Sequence, residues 1–164
     1  MFARILGVMN ACGTVWIFLL MILINSDIIG RELFESPVRG TTEIMSISIV
    51  GIVFLQLGHT LMSGKITRSV MVIDNLLTHW PRLGHALQCL FHLGGALLLG
   101  IIFWGSIGLF ADAIDIQEYV GAVGDFTAPT WPVRLLILIG SAATALQFLL
   151  LAGRDLRIVF GGRR

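Results

Sequence analysis

Three polar side chains share one face of a long apolar stretch: His85, Gln88 and His92, at helical steps of three and four. A fourth, His59, lies in a separate apolar stretch. Histidines on two different helices can ligate a haem iron, so redox chemistry is one function these residues permit. His59 and His85 both fall toward the same side of the membrane, where an imidazole meets water, and the other side holds no matched pair. Interhelical hydrogen bonding or interfacial exposure is therefore the favoured reading. Asp27 is the second candidate. A carboxylate in an apolar run can bind a proton or a cation, but Arg31 follows at the i, i+4 spacing of a helical ion pair. A structural pair is favoured over an ion pathway. Asn10, Gln56 and Gln147 read as interhelical hydrogen bonders. Cys12 and Cys89 lie inside apolar runs and read as small packed residues. The chain holds no phosphate loop, nucleophile elbow or metalloprotease helix motif.

The elements that position these residues follow from composition. Of 164 residues, 56% are hydrophobic and 13% charged, about half the charge of a soluble domain. Four uncharged runs account for the difference: Ile5–Ser26, Ile44–Gly64, Leu83–Ala111 and Leu135–Gly153. A bilayer core takes about 20 apolar residues to cross at ~1.5 Å each. The expected fold class is an all-α integral membrane protein with four transmembrane helices, over about 5–34, 42–64, 82–111 and 131–153. One four-helix membrane domain, 1–164, is expected, with no separate soluble domain. The first run is too long for a secretory signal and lacks a small-x-small cleavage site, so an uncleaved first helix is expected. A net charge of +1 carries no nucleic-acid signature.

Basic residues set orientation, because cytoplasmic flanks retain them. Arg4, Lys65, Arg68, Arg82, Arg154, Arg157, Arg163 and Arg164 fall on the side of the termini, and Arg31, Arg39 and Arg134 on the other. Both termini are expected inside, with loops 30–42 and 112–130 outside. Between the second and third spans, Ile66, Val70, Ile73, Leu77 and Trp80 recur at steps of four and three. This is the pattern of an amphipathic helix over about 66–80, expected to lie flat in the headgroup region. In the first outer loop, Pro37 and Gly40 punctuate a turn. Thr41 or Thr42 is placed to cap the next helix, with Glu43 in its first turn. Gly84, Gly94, Gly95, Gly100, Gly105 and Gly108 on the third helix, and the run from Gly140 to Ala145 on the fourth, suit close helix packing. Trp131 sits where an aromatic belt is expected.

The stretch from Asp27 through Arg31, Phe34, Pro37 and Gly40 to Glu43 resembles the hairpin between the first two helices of a known family. That family is the small membrane subunit (DctQ-like) of tripartite ATP-independent periplasmic (TRAP) transporters. Phe54–Asp74 resembles the family's exit from its second helix, and Phe126–Gly140 its Pro-x-Trp entry to the fourth. Two departures stand out. Arg39, Gly40 and a single Glu43 occur where the family often has Trp before paired Glu, and Gly64-Lys65-Ile66 replaces a Gly-x-His-Ile. The resemblance implies a non-catalytic scaffold without a cofactor of its own, in the bacterial inner membrane. It implies two partners. One is a large permease subunit that carries an organic acid with sodium ions; the other is a periplasmic substrate-binding protein. Asp27, Arg31, Pro37, Glu43, Lys65, Trp80, Trp131 and Gly140 become structural or interface candidates. A small subunit of a tripartite tricarboxylate transporter and a stand-alone four-helix haem protein remain the alternatives.

Overall fold

Long uncharged runs have one economical conformation in lipid, because a helix satisfies every backbone N–H and C=O within itself. The computed structural model describes residues 2–63, 81–122 and 126–160. Four helices carry most of them: α1 (Phe2–Phe34), α2 (Thr41–Met62), α3 (Pro81–Asp115) and α4 (Trp131–Phe160). Each is long and apolar enough to cross a membrane. The amphipathic helix expected over 66–80, with Lys65 just before it and Trp80 at its end, lies outside the described residues.

The chain is not wholly helical. Between α3 and α4, β1 (Tyr119–Ala122) and β2 (Phe126–Pro129) form an antiparallel ribbon, with Tyr119 opposite Pro129 and Ala122 opposite Phe126. The acidic outer loop thus contains a two-stranded ribbon. Tyr, Val, Phe and Thr favour extended backbone. The loop also leaves α3 through a left-handed residue, Gln117 (φ 48°). There the Glu118 N–H reaches the Ala113 carbonyl, and Gln117 N–H the Ile114 carbonyl, the paired bonds of a Schellman stop.

The principal contacts run α1 to α2, α2 to α4, and α4 to α3, so the helices form a row in which α2 and α4 are the central pair. These two run parallel and approach at glycine. A Cβ on Gly140 of α4 would collide with the Phe54 carbonyl oxygen of α2. One on Gly58 of α2 would lie 2.8 Å from the Leu6 side chain and 3.2 Å from Thr144 Oγ1. Gly58 is therefore where α1, α2 and α4 meet, and Leu6, Leu61, Ser141 and Thr144 around it are almost fully buried. The two hydroxyls bond within their own helix: Thr144 Oγ1 donates to the Gly140 carbonyl at 2.7 Å, and Ser141 Oγ to that of Ile137 at 2.6 Å. A small polar residue can thus line an apolar seam without an unmet group. On the other side of α2, Trp16 Nε1 donates to Ser48 Oγ at 3.1 Å, and Gln56 packs its stem against Gly13.

The glycines of α3 behave differently from expectation. Gly95 does receive a neighbour, the Phe148 ring of α4, but Gly94, Gly100, Gly105 and Gly108 face open space. The reason is position in the row: α3 is an edge helix and touches α4 along one side. At ~100° per residue, Gly94, Gly105 and Gly108 cluster on the side opposite the buried His92, Ala96 and Leu99. Only 11% of the most apolar window of α3 is buried, against 28% for α2 and α4.

The two classes of glycine predict opposite outcomes in the isolated chain. Gly140→Ala forces a methyl group against backbone and should cost about 1–3 kcal/mol, the usual cost of overpacking. Gly105→Ala meets nothing and should be neutral or slightly stabilising through helix propensity. Thermal unfolding of both variants in one detergent checks this; equal melting temperatures would remove the central seam from the account.

Candidate functional site

The polar side chains gather at three stations, two at the end of the loops and one near the termini. The first is the α1–α2 hairpin. Asp27 lies two turns from the end of α1 and is buried, at 8% exposure. Its Oδ2 accepts from Arg31 Nη2 at 2.8 Å, and its Oδ1 accepts from the Val38 N–H at 2.8 Å. The second bond is the informative one. It ties helix α1 to the far side of the turn, eleven residues on. The Arg31 side chain is 64% exposed, so its share is that of a surface pair, whereas the Val38 amide has a buried acceptor to lose. The same turn brings the Ser36 N–H to the Gly30 carbonyl at 3.0 Å. Pro37 is exposed within it.

The start of α2 corrects the expected cap. The cap residue is Gly40, with φ 77° and no side-chain bond, while the Thr41 hydroxyl donates backwards to the Val38 carbonyl at 2.9 Å. The Phe126 ring of β2 occupies the space a Cβ on Gly40 would need. A left-handed backbone beneath an aromatic ring admits glycine alone, and so displaces the threonine cap. This contact also joins the two loops. Glu43 does stand in the first turn of α2.

The second station straps the ribbon. Arg134, on α4, pairs through Nη2 with Glu118 Oε2 at 2.5 Å and donates through Nη1 to the Leu109 carbonyl of α3. Thr130 donates its N–H to the Glu118 carbonyl at 3.0 Å. Sequence reading used Arg134 only as a charge for orientation. The signal available was its place one turn after Thr130, in the first turn of a helix, where a cation is not stabilised by the dipole and needs a specific acceptor. Trp131 is half exposed beside a groove of about 850 Å³ lined also by Ile114, Tyr119 and Pro129.

The third station is the one sequence reading missed. His85 and His92, one face of α3, turn toward Asp155 of α4: His92 Nδ1 lies 2.7 Å from Oδ2, and His85 Nδ1 3.4 Å from Oδ1. Cys89, between them, directs its thiol to the Ala152 carbonyl. Asp155 lies beyond the apolar run that stops at Gly153, in a helix that continues to Phe160. The signal was periodicity: Phe148, Ala152 and Asp155 continue the α3-facing side of α4 at steps of four and three. His59 stands apart on α2, with Nδ1 buried and without a hydrogen-bond partner among the described residues. Among the described residues no group of three or more His, Cys, Asp or Glu is placed to hold a metal ion.

The geometry at Asp27 separates two accounts of the hairpin. If the ion pair dominated, exchanging Asp27 and Arg31 would restore what either single change loses. The structure predicts that it will not, because arginine at 27 cannot accept the Val38 N–H. Asp27→Ala should cost about 1–3 kcal/mol, because the Val38 N–H loses a charged acceptor, and Arg31→Gln under about 1 kcal/mol. Unfolding measurements on the two single variants and the exchange variant decide between them.

A match to known families covers most of the chain: residues 20–158 match the family described as tripartite ATP-independent periplasmic transporters, DctQ component. The matched span takes in the hairpin, the ribbon and the histidine–aspartate cluster. No curated protein matches the chain, and no solved structure does. Four apolar helices and this match make the molecule a multi-pass inner-membrane protein, and the chain belongs to the DctQ family, the small membrane component of TRAP transporters.

Proposed function

We propose that this chain is a non-catalytic scaffold, which holds the large permease subunit of a sodium-coupled importer of organic acids in the bilayer. A periplasmic binding protein delivers the substrate, and sodium ions bind on the large subunit. The observation that carries this reading is the outward side of α3. Gly94, Gly105 and Gly108 leave backbone accessible there, with Leu98 and Ile101 exposed alongside. Such a side lets a second helix approach closely. A row of four helices also encloses little, whereas a substrate pathway needs a cavity between moving parts. The ribbon and its groove stand at the opposite end from the termini, where a periplasmic component meets the chain. Of the candidate residues, Asp27, Arg31, Pro37 and Glu43 shape the first loop, Trp131 borders the groove, and Gly140 holds the central seam. Lys65 and Trp80 lie outside the described residues.

Omission defines the test. Uptake of candidate organic acids into proteoliposomes under a sodium gradient should need all three components. Uptake by this chain alone would overturn the scaffold role, as would full uptake without it. Gly105→Leu should reduce co-purification of the large subunit several-fold while leaving the isolated chain folded.

Orientation follows from the eight-to-three division of basic residues, with the termini in the cytoplasm. Single cysteines at Ser36 and Glu118, in a background lacking Cys12 and Cys89, should react with an impermeant maleimide from the periplasm. Cysteines at Lys65 and Arg163 should react only after the membrane is opened. The converse pattern would invert the topology.

A further inference from the structure

Neither the scaffold role nor the loops make use of Asp155, yet it is an acid with 7% exposure placed between two imidazoles of the neighbouring helix. A buried carboxylate is tolerated only when hydrogen-bonded and paired. Here the partners approach through the same ring atom, Nδ1, each toward a different oxygen. With the carboxylate ionised it can only accept, so a ring that bonds it does so through an Nδ1 hydrogen, and a further proton then adds at Nε2.

We propose that Asp155, His85 and His92 form a proton-binding site in the α3–α4 seam, in which one proton taken at Nε2 of His85 neutralises the buried carboxylate.

Charge counting supports this. With both imidazoles neutral the cluster carries one net negative charge, in a seam whose other walls are Cys89, Phe148 and Ala152. One proton brings the net charge to zero and converts a neutral donor into a charged one, which forms the stronger hydrogen bond. His85 is the better receiver because its side chain is 23% exposed and that of His92 5%. The first ring is the more open of the two, at the start of α3. From α4, the group facing His85 is Asp155; Arg154 and Arg157 are exposed on the same helix. From α3 itself, Cys89 and His92 share the face, and Arg82 stands one turn before His85. The segment 64–80, with Lys65, Arg68, Asp74 and His79, lies outside the described residues.

Proton binding and the contact between α3 and α4 are linked, and the coupling is reciprocal. A protonated His85 holds the first turns of α3 to the end of α4 by a charge-assisted bond, where a neutral one holds them by a long 3.4 Å contact. Proton availability at the end of the bundle that carries both termini then sets how firmly α3 begins.

Imidazole ¹⁵N NMR of the full chain in lipid nanodiscs, between about pH 8.5 and about pH 5, tests the site in the range where histidine charge changes. The expected result is a His85 ring protonated at Nδ1 throughout that gains its second proton at Nε2. Asp155→Ala removes both acceptors, so the alkaline His85 ring should no longer be held to the tautomer with its hydrogen on Nδ1. A His85 tautomer unchanged in Asp155→Ala overturns the proposal. So does a wild-type His85 carrying its hydrogen on Nε2 at the alkaline end, a measurement that needs no variant and stands even where Asp155→Ala fails to fold.

Discussion

The close approach of α2 and α4 is the constraint on which the architecture rests. α1 is held through α2, and α3 through α4, so the two halves of the chain are joined along one seam. In lipid that seam cannot draw on the hydrophobic effect, because the tails are as apolar as the side chains. What remains is packing, and packing is densest where backbones touch. Gly140 meets the Phe54 carbonyl, so a side chain of any size there would hold the helices apart, and Gly58 packs between the Leu6 and Thr144 side chains. Ser141 and Thr144 fit there because each turns its hydroxyl back into its own helix.

With the seam in place, the polar groups act at its ends. Asp27 closes the first loop by accepting a backbone amide across the turn, and Arg134 closes the second by joining Glu118 to the end of α3. Phe126 over Gly40 brings the two loops together. The end of the chain away from the termini is thus a built surface. Its residues are fixed by bonds between side chains and backbone across both loops, which suits a platform for another component better than a pair of loose connections would.

The row arrangement has a consequence for function. A closed bundle would turn its small residues inward. A row leaves an edge helix with one side unpartnered, and α3 presents glycine there. The same helix, on its inner side, carries the histidines that meet Asp155. The two proposals thus meet on a single element, α3, with the permease surface on one side and the proton site on the other. Membership of a multi-component transporter gives such a coupling a setting.

Composition and periodicity by themselves determined the four apolar helices, the reversal of the chain near Pro37 and the pairing of Asp27 with Arg31. These depend on local properties: run length, the cost of unmet backbone groups in lipid, and the pitch that brings i and i+4 together. The resemblance of the ordered hairpin motif to the DctQ family also lay in the sequence, and the family match covers it. Tertiary structure alone decided what touches what. Helical spacing placed His85 and His92 on one face, but not against Asp155, because the partner is 63 residues from His92 and past the apolar run. Glycine content marked both α3 and α4 for close packing, yet only neighbours in the row distinguish Gly140, set against backbone, from Gly105, set against nothing. Thr41 had the right chemistry for a cap, and a ring from a strand 85 residues from it gave the position to Gly40 instead. Local rules name the groups that need partners; the fold assigns the partners, because contacts between helices depend on how the whole chain fills space.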